Sequence, residues 1–227
     1  MIASDLLAKW MWRMNHDFLE AKMFLCTQIM DEARHAEVFR KRALANGGGL
    51  LMSRCQSEGL LRTILEAKTY HQATALMHLL GEGFILDIFR MGELIAPSPV
   101  EKRMFRMAMQ DEARHVAYGT MHIRYGVEQD PDIAEEIHEA LDHGEVVLTQ
   151  FGTNQDFGPR SQCCSAAVGH VEDKGFPLQM ELQRKQFTSY LARCERAGIS
   201  RLHRTKLPLE LLGIDPNTVL SQRGAAR

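Results

Sequence analysis

Apolar residues recur at helical spacing along most of this chain, and no stretch alternates convincingly with the two-residue period of a strand. Between Asp17 and Leu44 there is no Gly or Pro. Phe18, Met23, Leu25, Ile29, Ala33, Ala36 and Phe39 mark one helical repeat there. Asn46-Gly47-Gly48-Gly49 stops it. A second long segment runs from about Ser57 to Ile95 and ends at Pro97-Ser98-Pro99. A third starts with Pro99 in its first turn and Glu101 nearby, and continues to about Tyr125. Gly126 and Pro131 punctuate before another helix, Asp132 to about Phe151. Residues 152–175, rich in Gly, Ser, Gln and Asn, read as loop. A last helix is expected from about Pro177 to Ala197, closed by Gly198. Pro208 and Pro216 mark the remainder as an extended tail. The expected fold class is all-α, in one domain over 1–227, with a core at about 1–127 and a C-terminal helical extension and tail at about 128–227.

Bulk properties narrow the function. A formal charge of -2 gives no electrostatic reason to expect nucleic acid, so Arg201, Arg204 and Lys206 read as a solvated basic tail. No apolar run reaches the length of a membrane span, and the first residues carry no targeting signal. Cys26, Cys55, Cys163, Cys164 and Cys194 form no CxxC pair and no disulfide framework, which fits a reducing compartment. The expectation is a cytoplasmic protein. The 13 methionines, among them Met104, Met107 and Met109, read as core filling, and Trp10 and Trp12 as packing residues.

One pattern changes the picture. Asp31-Glu32-Ala33-Arg34-His35 is repeated as Asp111-Glu112-Ala113-Arg114-His115, each in the middle of an expected helix. Within each copy Glu and His stand three apart, so both side chains leave the same helix face. Carboxylate and imidazole together suit iron, manganese or zinc. A single E-x-x-H is a weak signal, whereas a chance five-residue identity at a chosen place is on the order of 1 in 20⁵.

Over at least residues 17–125 the pattern resembles the ferritin-like di-iron carboxylate proteins, which place E-x-x-H on two helices of a four-helix bundle and a further Glu on each of the other two. The D-E-x-R-H form is similar to that of the bacterial multicomponent monooxygenases, and the chain's size and later helices look somewhat like the arylamine N-oxygenases. The resemblance implies a ferritin-like bundle with additional C-terminal helices, holding two iron ions, although manganese suits the same ligands. It implies that Glu32 and Glu112 bridge the metals and that His35 and His115 each supply a nitrogen. Family spacing places a lone Glu about 30 residues before each E-x-x-H. Counting back from Glu112 gives Glu82, between Gly81 and Gly83. Counting back from Glu32 gives Ile2, which binds no metal, with Asp5 the nearest acid. Either Asp5 substitutes, or the chain is cut short and its first Glu lies before Met1. The short first helix, about Met1 to Met14, favours truncation. Asp31 and Asp111 are expected to accept the spare imidazole N–H of the opposite motif's His, with Arg34 and Arg114 neutralising those acids. His78 and His122 are expected as polar neighbours of the site.

The implied activity is that of a di-iron oxygenase or oxidase acting with O₂ on a small organic substrate. It would draw electrons from an external donor and work as a monomer or homodimer, with no nucleic acid or membrane partner. Phe39 stands where the ribonucleotide reductase small subunit carries its radical tyrosine, which disfavours a tyrosyl-radical role. Ala108 stands where the arylamine N-oxygenases carry a third His, which disfavours N-oxygenation. Two alternatives stand beside the leading reading: an iron-handling ferroxidase or store of ferritin type, and a degenerate inactive bundle lacking one ligand.

Overall fold

A computed structural model describes residues 2–45, 47, 49–50, 55–153 and 172–216, and every regular element among them is helical. We label them α1 (Ile2–Met11), α2 (Leu19–Ala45), α3 (Cys55–Leu65), α4 (Tyr70–Thr74), a π-helical segment (Ala75–Glu82), α5 (Gly83–Ile95), α6 (Pro99–Gln129), α7 (Ile133–Thr153) and α8 (Glu172–Arg196).

Local chemistry sets the boundaries. Ser98 caps α6 with its hydroxyl accepting the Glu101 N–H, the Glu101 carboxylate accepts the Ser98 N–H in return, and Pro99 follows the cap. The helix then continues past Gly126 to Gln129. Gly126 serves close packing rather than termination, because a Cβ there would lie 3.1 Å from His71 Nε2. The single helix expected over Ser57 to Ile95 is interrupted at residues 66–69, where Thr69 caps a new start by accepting the Gln72 N–H. α8 begins before the expected Pro177 and carries that proline within it.

α1 packs on α2, α2 on α6, and α6 on α5 and the π-helical segment, while α3, α7 and α8 cover the outer side of that segment. Leu25, Leu79, Leu80, Ile123, Ile137, Leu141 and Leu191 are fully buried between these layers. Each such side chain contributes about 1.5–3 kcal/mol of apolar transfer energy.

Three expectations are corrected here. Arg201 belongs to no solvated tail: it is completely buried, donating to Glu145 and Asp142 on α7, and Leu207, Leu209, Leu212 and Ile214 later in the same segment are buried too. An unpaired charge at that depth would be prohibitive, and the two carboxylates remove the penalty. Trp12 is exposed, unlike Trp10. Methionine fills the core only in part: Met77 is buried and Met11, Met14 and Met180 pack against the core, whereas Met23, Met30, Met107 and Met121 lie exposed on α2 and α6. Cys26 and Cys194 are free thiols, and Cys163 and Cys164 fall outside the described residues. Among the described residues no helix is long and apolar enough to cross a membrane.

Candidate metal centre

Both copies of the repeated motif sit mid-helix, one on α2 and one on α6, and the π-helical segment ends on Glu82. These three elements bring Glu32, Glu82, Glu112 and His115 together, with one ligand atom from each lying within 4.8 Å of all the others. His115 Nδ1 is 3.4 Å from Glu112 Oε2 and 3.6 Å from both Glu32 Oε1 and Glu82 Oε1. His35 approaches from the other side, with Nδ1 3.5 Å from Glu112 Oε1. The two imidazole centroids are 6.4 Å apart.

The remaining motif residues form a crossed brace behind the imidazoles. His35 Nε2–H donates to Asp111 Oδ2 at 3.1 Å, and His115 Nε2–H donates to Asp31 Oδ2 at 3.2 Å. An ionised carboxylate only accepts, so the proton sits on Nε2 in both rings, and Nδ1 of each is the nitrogen turned to the glutamates. Arg34 donates to Asp31 and to Asp111 at 2.7 and 2.5 Å. Arg114 donates to the same two acids at 2.9 and 2.8 Å. Each aspartate therefore receives one histidine and two arginines, and the two copies are related by a near two-fold exchange of roles.

The electrostatics describe a site short of positive charge. Burial and the neighbouring Glu112 push Glu32 up to about 7, and burial drives Glu82 well above the usual carboxylate range. Burial pulls His115 down, but the close carboxylates of Glu112 and Glu82 outweigh it and raise the ring to about 10. Burial alone would lift Glu112; its contacts with His115 and His35 overturn that and lower it. Two buried carboxylates and the half-buried Glu32 thus compete for imidazole protons. Nδ1 of His35, Nδ1 of His115, Glu82 Oε2 and Glu112 Oε2 are all buried without a hydrogen-bond partner. Such orphaned atoms, on three of the clustered residues and on His35 beside Glu112, are what a cation would satisfy. The donor set of carboxylate oxygen and imidazole nitrogen fits a divalent transition metal.

Asp5 takes no part in this cluster; it is exposed on α1, whose core-facing residues are Leu6, Leu7 and Trp10. A helix of that period buries the positions on either side of Asp5 and turns its carboxylate to solvent. Beside the glutamates lies Gln28 instead, which spacing by family pattern did not reveal. It is fully buried one turn before Glu32, and its Nε2 donates to Glu82 Oε1 at 2.8 Å. The visible cue was an amide on the ligand face of α2, four residues ahead of the motif's Glu. Gln28 also meets His78 Nε2 at 3.1 Å, while His78 Nδ1–H donates to the Thr74 carbonyl. Burial pushes His78 down to about 3, so it stays neutral.

Aromatic rings flank both histidines. Phe24 sets its edge on His115 and stacks on Tyr118 at 4.3 Å, and Tyr118 continues to His122 and His71. Phe89 sets its edge on His35 and packs with Phe39 and Phe105. His122 is thereby separated from the glutamates by Tyr118. No protein-family model, curated protein or solved structure matches this chain.

Proposed function

We propose that this cluster is a di-iron centre in a ferritin-like helical bundle, and that the protein is an oxygenase or oxidase of a small organic substrate. The observation that carries the reading is the crossed pairing of the repeated motif. Each His of one copy is oriented by the Asp of the other, leaving Nδ1 of His115 beside all three glutamates and Nδ1 of His35 beside Glu112. Duplicated E-x-x-H on two helices with a further Glu on a third matches the di-iron arrangement of that superfamily except for the carboxylate of the remaining helix. Iron held there would supply the redox chemistry that activates O₂.

The chain's own groups have separable tasks. Glu112 lies beside both imidazoles, and Glu32 and Glu82 lie beside His115, so these carboxylates and the two rings would hold the iron. Asp31 and Asp111 hold the Nε2 protons, which fixes the tautomer and makes each ring a better donor at Nδ1. The Phe24, Phe39, Phe89 and Phe105 rings keep water from the centre, which protects a reactive oxidant from side reactions. Electrons come from an external donor in this reading.

Anaerobic ferrous loading followed by elemental analysis and O₂ uptake tests it. About two irons per chain, with O₂ consumed on air exposure by a monomer or dimer, are expected. A very large cage-like assembly would replace the oxygenase by an iron store, and absence of bound iron would overturn the metal-centre reading itself.

A further inference from the structure

Glu82 reaches the cluster from an unusual backbone. It is the last residue of the π-helical segment Ala75–Glu82, and α-helix resumes at Gly83. Where a ladder bonded to the fifth residue back changes to one bonded to the fourth, one carbonyl is passed over and needs another donor. Arg193 of α8 is that donor here: its Nε lies 3.1 Å from the Leu79 carbonyl. The guanidinium is buried and lies flat on Gly83, where a Cβ would fall 2.3 Å from Nη2, 2.4 Å from Cζ and 2.5 Å from Nε. Gln186, two turns earlier on α8, donates to the Phe84 carbonyl at 3.1 Å. At the opposite end of the segment His78 Nδ1 serves the Thr74 carbonyl. Side chains therefore serve carbonyls at both ends of the π-helical run.

We infer that Arg193, seated on Gly83, is a positioning residue for Glu82, holding the π-helical register that aims this carboxylate at the metal centre. The inference rests on the metal-centre reading above. If the segment shed its extra residue and ran as α-helix, every side chain beyond the change would turn by about 100° around the axis. Glu82 would leave His115, and a glycine neighbour would face the cluster in its place. The side-chain hydrogen bond to Leu79 is lost in that arrangement, so Arg193 favours one register over the other. It touches no ligand atom and acts only through the backbone that carries Glu82.

Two variants remove the contact differently. Arg193→Met keeps bulk and deletes the donor. Gly83→Ala leaves Arg193 in place but forces its whole guanidinium away, at a position with ordinary helical φ and ψ. Cobalt(II) titration, followed by visible absorption, and amide hydrogen exchange of the metal-free protein over residues 79–84 are measured on each. Both variants are expected to bind cobalt(II) about tenfold or more weakly with an altered spectrum, and to exchange faster over 79–84 than the unaltered chain. In a Glu82→Gln background the same substitutions should change cobalt(II) affinity no further, and Arg193→Lys should recover part of the loss. Unaltered affinity and spectrum in both variants, or an equal loss in the Glu82→Gln background, would overturn the inference. If the unaltered chain takes up no cobalt(II), the metal-centre reading falls, and the exchange data still decide whether Arg193 holds the segment: unchanged exchange rejects it and faster exchange supports it.

Discussion

Asp31 on α2 accepts the Nε2–H of His115 on α6 at 3.2 Å, across a sequence separation of 84 residues. The bond decides which nitrogen of His115 is free. Asp31→Asn keeps the shape but puts a neutral amide behind the imidazole, weakening its hold on the Nε2 proton. Metal affinity should drop roughly 10- to 100-fold, measured by competition with a chelating dye. Equal affinity in variant and parent would mean that the brace does not act on the ligand ring.

Glu112 and His122 lie on the same helix and should behave oppositely. Glu112 approaches both imidazoles, so Glu112→Ala should abolish metal uptake altogether. His122 is held off by Tyr118, and His122→Ala should leave the metal count unchanged. Full metal occupancy in Glu112→Ala would refute the ligand assignment.

His122 also makes a pH prediction for the metal-free protein. Burial lowers its pKa from 6.5 to about 4. The unfolded chain therefore takes up a proton below 6.5 that the folded one refuses until about 4. Stability contributed by the neutral ring is present above 6.5 and is lost as pH falls through that window, by at most roughly 3 kcal/mol. His78, lowered to about 3, adds a loss of the same sign. His122→Phe should therefore gain on the parent between pH 7 and pH 4.5 in urea unfolding. Parallel curves for the two proteins would show that His122 is not buried neutral.

Gly119 marks the closest approach of α6 to the π-helical segment. A Cβ there would fall 2.2 Å from His78 Cβ and 2.4 Å from its Cγ. Gly→Ala inside a helix ordinarily stabilises by up to about 1 kcal/mol. Here overpacking should reverse the sign and cost on the order of 1–3 kcal/mol, seen as a lower melting temperature. A raised one would place the helices further apart than described.

Much of the helical layout was legible because α2 and α6 carry their own period and their own stops. The cap at Ser98 and Glu101 reads directly from local sequence. The break at 66–69 does not, since no Gly or Pro marks it. The π-helical register was equally hidden, because its backbone is completed by Arg193, 114 residues from Leu79. Arg201 misled for the same reason: a basic residue near the end of a chain looks solvated until Glu145, 56 residues earlier, is folded against it. Counting back from Glu32 led to Ile2, and Asp5, the nearest acid, is exposed, because distance along a helix says how far a side chain lies but not which way it turns. The repeated motif escaped these limits, since each copy contains the acid, the base and the ring that the other copy needs.

That self-complementarity works as a register key for the bundle. Sliding α6 by one residue against α2 would turn Asp111, Arg114 and His115 away together, stranding buried charge on both helices at once. A misaligned arrangement thus loses the whole network rather than one contact, and an unpaired buried ion costs several kcal/mol. Apolar side chains such as Leu, Ile and Val would tolerate such a slip far better. The residues that would tune the proposed centre therefore also choose the one alignment of helices in which the glutamates and histidines meet.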